Sequence, residues 1–363
     1  MQIHADIHLE RDSGFTVDAD LRIRDSGITA LYGPSGSGKS TMLRLIAGLE
    51  RGRKGDRITI TADDETWHDR NNFVPVHRRG VGFVFQQQQL FPHLTVRGNL
   101  DYAIKRRHSD NGVDLSQIKE WLGLAPLLPQ PVQQLSGGEA QRVSIARVLL
   151  SGARCILMDE PLGSIDVASR ARILPYLDRL HRNLRLPLIY VSHSLEEITY
   201  LADELYLLDD GKIKASGSLF ELASSLELNI DAGEAAASVL QCTIAGHEAD
   251  YGLTRLDFDG CHLFVTARHR EPGATLRVRI PARDVSITLE PPQQTSILNV
   301  IPTTVEEIQP PTESPGVLVR LGSGKQHILA RITRKSLNNL NLTVGQQVYA
   351  QIKSVALLSD YED

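Results

Sequence analysis

Cysteine is scarce in this chain, neither sign of charge dominates, and no long apolar run occurs; each absence excludes something. Cys155, Cys242 and Cys261 are far apart, odd in number and without any C-x-x-C pair. That argues against a disulfide framework or a zinc site and for a reducing compartment. With 39 Lys and Arg against 44 Asp and Glu, the net charge is −5, so the total gives no electrostatic case for a nucleic-acid partner. Nowhere do about eighteen apolar residues run uninterrupted. The opening residues, MQIHAD, lack the basic-then-apolar order of a signal segment, and the expectation is a chain that neither crosses nor enters a membrane by itself. A hydrophobic content of 41% suits ordinary globular folding, and 363 residues exceed what one core usually serves, which points to two or three domains.

What is present is organised around Gly33, Pro34, Ser35, Gly36, Ser37, Gly38, Lys39, Ser40 and Thr41, which fill the phosphate-loop pattern G-x-x-x-x-G-K-[ST] without a gap. Residues 28–32 read as a short buried strand and 42–47 as the helix that follows, stopped by Gly48. The glycines let backbone N–H groups curl around phosphates and the helix N-terminus adds positive potential. Lys39 then reaches the β- and γ-phosphates, and Ser40 is placed to ligand Mg²⁺. A flexible Gly/Ser linker is the bland alternative, but linkers rarely sit between an apolar strand and an amphipathic helix.

Along the chain, apolar residues alternate with polar ones from Ile7 to Ile23, which predicts strands with one face on a core. Phe15 in that stretch suits either a core position or stacking on a nucleotide base. Residues 50–79 turn polar, with Trp67 and Phe73 as anchors, and read as a strand-rich excursion. The strand 81–85 delivers Gln86, whose amide oxygen suits Mg²⁺ if it is not simply a solvated loop residue. Short helices are expected over 99–107 and 115–128. Ser136, Gly137 and Gly138 open a further helix, where bare N–H groups can receive an anion or merely form an ordinary N-cap. The apolar strand 155–158 delivers Asp159 and Glu160, suited to the Mg²⁺ shell and to holding an attacking water. The strand 188–191 ends in Ser192 and His193.

This order of motifs, phosphate loop, Gln86, Leu135-Ser136-Gly137-Gly138-Glu139, Met158-Asp159-Glu160-Pro161 and Ser192-His193, resembles the ATP-binding subunits of ABC transporters over residues 1 to about 222. The resemblance implies an α/β phosphate-loop NTPase fold and an ATPase that works as a head-to-tail homodimer. Each ATP would lie between the phosphate loop of one subunit and the Ser136/Gly138 helix of the other. It also implies roles: Glu160 polarises the water, Lys39 and His193 face the γ-phosphate, Ser40, Gln86 and Asp159 hold Mg²⁺, and Asp166 communicates across the dimer. Two positions depart from the usual pattern. Gly163-Ser164-Ile165-Asp166 stands where Ser-Ala-Leu-Asp is common, and Phe15 stands where many relatives carry tyrosine.

Composition shifts between residues 224 and 238, and alternation with Pro and Gly turns then predicts small β-barrels. Residues 280–287, 291–300, 330–333 and 351–354 resemble the molybdate-type oligomer-binding (MOP/TOBE) domains, and Arg97-Gly98-Asn99-Leu100 with 190–198 resembles the ATPases of molybdate importers. The expected organisation is an ATP-binding domain over 1–228, a linker and first β-rich segment over 229–290, and a C-terminal all-β MOP/TOBE domain of OB-like barrel type over 291–357. By resemblance, Ser296, Lys353 and Ser354 are candidates to hold a tetrahedral oxyanion, or the tail is a dimerisation barrel, since Leu298 replaces a frequent arginine. The implied setting is the cytoplasmic face of a bacterial inner membrane. The partners there are integral permease subunits, docked near residues 86–99 where Leu90-Phe91-Pro92 looks apolar and exposed, and indirectly a periplasmic capture protein. Import of sulfate, phosphate or sugar, and a soluble ABC ATPase acting on nucleic acid or ribosomes, remain as alternatives.

Overall fold

Ile3, Ala5, Ile7 and Leu9 face Val17, Leu21 and Ile23 with polar residues in between, a period of two that makes antiparallel strands with one buried face. In the first of two compact units, residues 1–216, the elements run β1 (Ile3–Glu10), β2 (Thr16–Ile23), β3 (Gly27–Tyr32), α1 (Lys39–Ala47), β4 (Arg57–Ala62), β5 (Glu65–His68) and β6 (Val81–Val84). They continue with α2 (Val96–Lys105), α3 (Leu115–Trp121), α4 (Gly137–Leu150), β7 (Cys155–Asp159), α5 (Val167–Asn183), β8 (Pro187–Ser192), α6 (Leu195–Leu201), β9 (Glu204–Asp209) and β10 (Lys212–Ser218). A computed structural model describes residues 1–12, 14–107, 109, 112–226, 236–266, 271–310, 315–353 and 356–357 of the chain.

One ten-stranded sheet runs in the order β5-β4-β1-β2-β10-β9-β3-β8-β7-β6. Its β9-β3-β8-β7-β6 part is parallel. There β7 and β8 are buried at every position, as strands covered on both faces require. Because β3, β8, β7 and β6 run the same way, residues 33, 193, 160 and 86 all leave the sheet at one edge. The expected helix over 115–128 is shorter, ending at Trp121. Gly123 turns left-handed just beyond (φ 58°), and Pro126 heads a 3-10 turn at Ala125–Leu127. The helix expected from 99 starts earlier, at Val96, where Thr95 caps it by accepting from Gly98 N–H.

Behind the phosphate loop sits a buried cation that meets carbonyls instead of a carboxylate. Arg79, 1% exposed, donates to Leu45 O at 2.7 Å and Ile46 O at 2.8 Å at the end of α1, and to Val74 O at 2.7 Å and Trp67 O at 3.3 Å. Its guanidinium lies 5.5 Å from the centre of Trp67 and 5.2 Å from Phe73. The negative end of the α1 dipole offsets its charge, and burial pushes its pKa down to about 10, still protonated at neutral pH. Gly48 is required beside it: φ is 76°, and an added Cβ would lie 2.6 Å from Arg79 Nε.

The second unit, residues 217–363, contains α7 (Leu219–Ala223), β11 (Ala237–Glu248), β12 (Leu253–Phe258), β13 (Cys261–Val265), β14 (Thr275–Pro281), β15 (Val285–Thr288) and β16 (Asn299–Ile308). It ends with β17 (Gly316–Ser323), β18 (Gln326–Thr333), α8 (Arg334–Asn339), β19 (Gln347–Ile352) and β20 (Ala356–Leu357). These form two five-stranded sheets, β13-β12-β11-β14-β20 and β15-β19-β16-β17-β18. Leu240, Val278 and Ile280 of one sheet share a single core with Ile301, Val319 and Ile328 of the other. Asn299 ties them further by accepting from Phe264 N–H at 2.7 Å and donating to Phe264 O at 3.0 Å. Cys155 and Cys242 are buried free thiols, each pushed up to about 12 by desolvation, so neither is a thiolate at neutral pH.

Arg79→Ala should lower the stability of the first unit by about 2–4 kcal/mol, because it removes a donor from four carbonyls, of which Leu45 O and Trp67 O keep backbone N–H partners, and opens a cavity. Arg22→Ala on an exposed strand position should stay within about 0.5 kcal/mol. Urea unfolding of both variants checks the contrast, and equal midpoints would refute the clamp.

Candidate active site

The loop between β3 and α1 needs its glycines for distinct reasons. A Cβ at Gly33 would overlap the Leu208 carbonyl, while Gly36 and Gly38 take φ of 85° and 91°. Gly38 caps α1 without a side chain, so the first helical N–H groups and the dipole face outward as an anion site. Lys39, 3% exposed, donates from Nζ to Gly33 O at 2.8 Å, Pro34 O at 2.7 Å and Ser37 Oγ at 3.2 Å. Burial pushes its pKa down, opposed by the charges of Glu160 and Asp159. Pro34, Ser35 and Gly36 are exposed, Ser37 is buried, and Ser40 and Thr41 are half-buried.

The carboxylates arrive from β7. Asp159 is buried and accepts from Ser40 Oγ at 2.6 Å, with Arg44 4.0 Å away. Desolvation pushes its pKa up, against the Ser40 hydrogen bond. Glu160 follows in a left-handed backbone conformation (φ 44°), uncommon for a residue with a long side chain and costing roughly 1 kcal/mol. Its N–H donates to Val191 O of β8 at 3.0 Å, and its Oε2 lies 3.4 Å from His193 Nδ1. Glu160 thus carries backbone strain at a point where two strands hold it in place.

Gln86 stands exposed just after β6, and Gly163 borders both it and Glu160: a Cβ on Gly163 would lie 3.1 Å from Gln86 Nε2 and 3.3 Å from Glu160 Oε2. Ser164 Oγ donates to Gln86 O at 3.3 Å. Asp166 caps α5, accepting from Ser169 N–H at 2.9 Å, which lowers its pKa. Phe15 is half-buried against the main core, with Cζ 3.5 Å from where a Gly38 Cβ would be, so its ring is both packed and beside the loop. Lys39, Ser40, Asp159, Glu160, His193 and Gln86 therefore converge on one edge of the sheet.

Ser136, Gly137 and Gly138 lie elsewhere, at the N-terminus of α4, which packs on α5 so closely that a Gly138 Cβ would lie 3.1 Å from Ile173. Ser136 closes a capping box: its Oγ and N–H donate to Glu139 Oε2 at 2.7 and 2.8 Å. Those hydrogen bonds hold the Glu139 carboxyl below its ordinary pKa. The apolar loop expected to lie free is in part folded onto its own unit. Asn99 bonds both backbone groups of Phe91 at 2.8 and 3.2 Å, and Tyr102 and Arg147 pack on the Phe91 ring at 4.5 and 5.0 Å. Phe85, Tyr102 and Ile104 are the large apolar side chains still exposed there.

In the second unit, the antiparallel register of Asn299 with Ile352 puts exposed Ser296 and Lys353 at the same end of the β16/β19 ladder. Ser354 lies outside the described residues. Sequence reading missed Arg170 and Glu197. The available signal was an acid pair, Glu196 and Glu197, whose second member falls four residues after His193 in a helix where Leu195, Ile198 and Leu201 are apolar.

Comparison with known proteins follows this division. The ABC transporter family model matches residues 17–163 and the TOBE domain model residues 295–358. A molybdenum import ATP-binding protein, ModC, of Pseudomonas fluorescens is 45% identical, covering 99% of this chain and 100% of that protein. The protein of the same name from Pseudomonas aeruginosa is 47% identical over 95% of this chain and 96% of its own length. Among solved structures, an ATP-binding cassette of an ABC transporter in its ADP conformation aligns with a TM-score of 0.51 at 22% identity, over 60% of this chain and 91% of its own. That likeness speaks to the fold alone.

Asn tolerates the left-handed region and removes the charge beside Asp159, so Glu160→Asn should raise stability by about 0.5–1 kcal/mol, or about 1–4 °C in thermal midpoint. Calorimetry checks this, and a lowered midpoint would show that the φ of 44° stores no strain.

Proposed function

The chain belongs to the ABC transporter ATP-binding proteins, and from that premise we propose that it is the ATP-hydrolysing subunit of an importer whose cargo is molybdate. The supporting observation for ATP hydrolysis is the convergence of Lys39, Ser40, Asp159, Glu160 and His193 at one sheet edge. For the cargo it is full-length kinship with the molybdenum import proteins.

The chain's own groups supply most of the chemistry. Loop N–H groups and Lys39 Nζ bind the β- and γ-phosphates. Phe15, beside Gly38, offers a face to the base. Glu160 accepts a hydrogen bond from the water that attacks the γ-phosphorus, and His193, 3.4 Å from that carboxylate, is placed to contact the γ-phosphate. The new P–O bond forms as the bond to the β-phosphate oxygen breaks, leaving ADP and inorganic phosphate. Ser40 Oγ and the Asp159 carboxylate, already 2.6 Å apart, are oxygen donors suited to Mg²⁺, and the Gln86 amide, at the same sheet edge, is the candidate to add a third. When bound, Mg²⁺ neutralises phosphate charge.

A homodimer completes the site. The N-terminus of α4, with Ser136, Gly137 and Gly138, receives the γ-phosphate of a nucleotide held by a second copy, in a water-excluded interface where such donors act strongly. ATP then holds the dimer shut and phosphate loss reopens it. Permease subunits dock on the exposed Phe85, Tyr102 and Ile104 surface. They keep the chain peripheral at the cytoplasmic face of the membrane, with a periplasmic capture protein on the far side. Ser296 and Lys353 are the described candidates for an oxyanion contact in the tail.

Glu160→Gln should keep ATP binding and slow phosphate release about 100-fold or more; comparable release by variant and parent would sink the assignment of the base. Calorimetry of the full chain should show molybdate binding that sulfate and phosphate do not reproduce and that Lys353→Ala weakens. An absence of molybdate heat would remove the tail from cargo sensing.

A further inference from the structure

One buried acid beside the site has no place in the chemistry above. Glu197, on α6, is 2% exposed, and an ionised carboxylate at that depth persists only when hydrogen-bonded and paired. Its Oε2 accepts from Tyr190 Oη at 2.9 Å and Ser192 Oγ at 2.8 Å. Desolvation first and the Glu197 charge second push the Tyr190 hydroxyl well above its usual pKa, so that donor stays protonated. The remaining oxygen faces Arg170 of α5: Oε1 lies 3.3 Å from Nε, a charge contact whose N–H does not point at the oxygen.

Two of the partners of Glu197, Ser192 and Arg170, each reach a segment of the site. Ser192 Oγ, fixed by Glu197, accepts from Ser194 N–H at 3.0 Å, and Ser194 Oγ caps Glu197 N–H at 3.4 Å. The turn carrying His193 is therefore closed through Ser192, which the Glu197 carboxylate fixes, and through the Ser194 cap on the Glu197 backbone. On the other side, Arg170 Nη2 donates to Ile165 O at 3.4 Å, in the loop running from Glu160 to Asp166. Ser164 of that loop bonds Gln86 O at 3.3 Å. A charge pair of a buried acid and a half-buried cation thus joins the histidine turn to the loop that flanks Glu160.

We infer that Glu197 and Arg170 are a positioning pair, which holds His193 in register with the 160–166 loop so that the two approach the γ-phosphate together. Neither residue touches the reacting atoms, and the pair acts through His193. Their effect belongs to the rate of the chemical step and not to nucleotide affinity, since Lys39 and the loop N–H groups that bind phosphate lie outside the network. The inference deepens the ATPase reading and rests on it.

Steady-state hydrolysis by the full chain tests it. Glu197→Gln keeps both hydroxyl contacts and removes the charge that Arg170 faces, so kcat should fall about tenfold with KM for ATP within about twofold of the parent. In a His193→Ala background, read by single-turnover phosphate release, the same change should cost less than about twofold, because groups acting through one residue are not additive. Arg170→Lys, which keeps the cation but shortens its reach to Ile165, should show the same split and serves if Glu197→Gln fails to fold. A kcat within about twofold of the parent, a loss carried by KM, or an equal loss with and without His193 would overturn the pairing. Glu160→Gln in the same assay separates the two readings. If it is inactive while Glu197→Gln runs at the parental rate, only the positioning pair falls; if Glu160→Gln hydrolyses ATP normally, both fall.

Discussion

The parallel ladder β3-β8-β7-β6 is the constraint on which the site depends. Its register pairs Tyr32 with Ser192, Asp159 with Val191 and Val84 with Met158. Four chain segments that are distant in sequence therefore end within two residues of each other along the sheet. A slip of one residue in β7 would carry the Asp159 side chain to the opposite face and away from Ser40. Because β7 and β8 are buried on both faces, such a slip would exchange the side chains packed on each face and misfit both, which a close-packed interior does not absorb cheaply. The hydrophobic pattern of the strands thereby fixes the placement of polar groups that belong to none of them.

That placement concentrates charge where water is scarce, and the fold handles it with local opposites. Lys39 is desolvated, and the Glu160 and Asp159 charges oppose the resulting fall in its pKa; Asp159 is desolvated, and Ser40 opposes the rise. Arg79 applies the same rule at the far end of α1, where four carbonyls take the place of a counter-ion. With α1 anchored at its C-terminus and free of a side-chain cap at its N-terminus, its dipole is left for an anion. The helix is thus positioned from behind by a residue that never approaches the phosphates.

Much of this was legible in the sequence because phosphate loops, strand-end carboxylates and helix caps are local patterns. What was not legible depends on partners far along the chain. Phe91 looks like a free apolar loop residue until Asn99, Tyr102 and Arg147 close on it. The 115–128 helix looks continuous until Gly123 and Pro126 impose their own backbone. Glu197 reads as a surface acid of a short helix, and only the packing of α5 beside it shows that Arg170 waits there. In the second unit, alternation announces strands, but the pairing of β15 with β19, some sixty residues on, is set by a core shared between two sheets.

The loop after Glu160 shows how a departure from pattern becomes intelligible as geometry. Read as letters, Gly163-Ser164 lacks the serine expected at the first position. In space, any side chain at 163 would press on Gln86 Nε2 and Glu160 Oε2 at once. The hydroxyl appears one residue later instead, where Ser164 reaches the Gln86 carbonyl. The pair therefore exchanges a side chain in a crowded spot for a hydrogen bond to the next strand end. Gln86, which on sequence alone was as easily a solvated loop residue, has its backbone carbonyl tied to this loop by Ser164, and its amide nitrogen borders the same glycine as the Glu160 carboxylate.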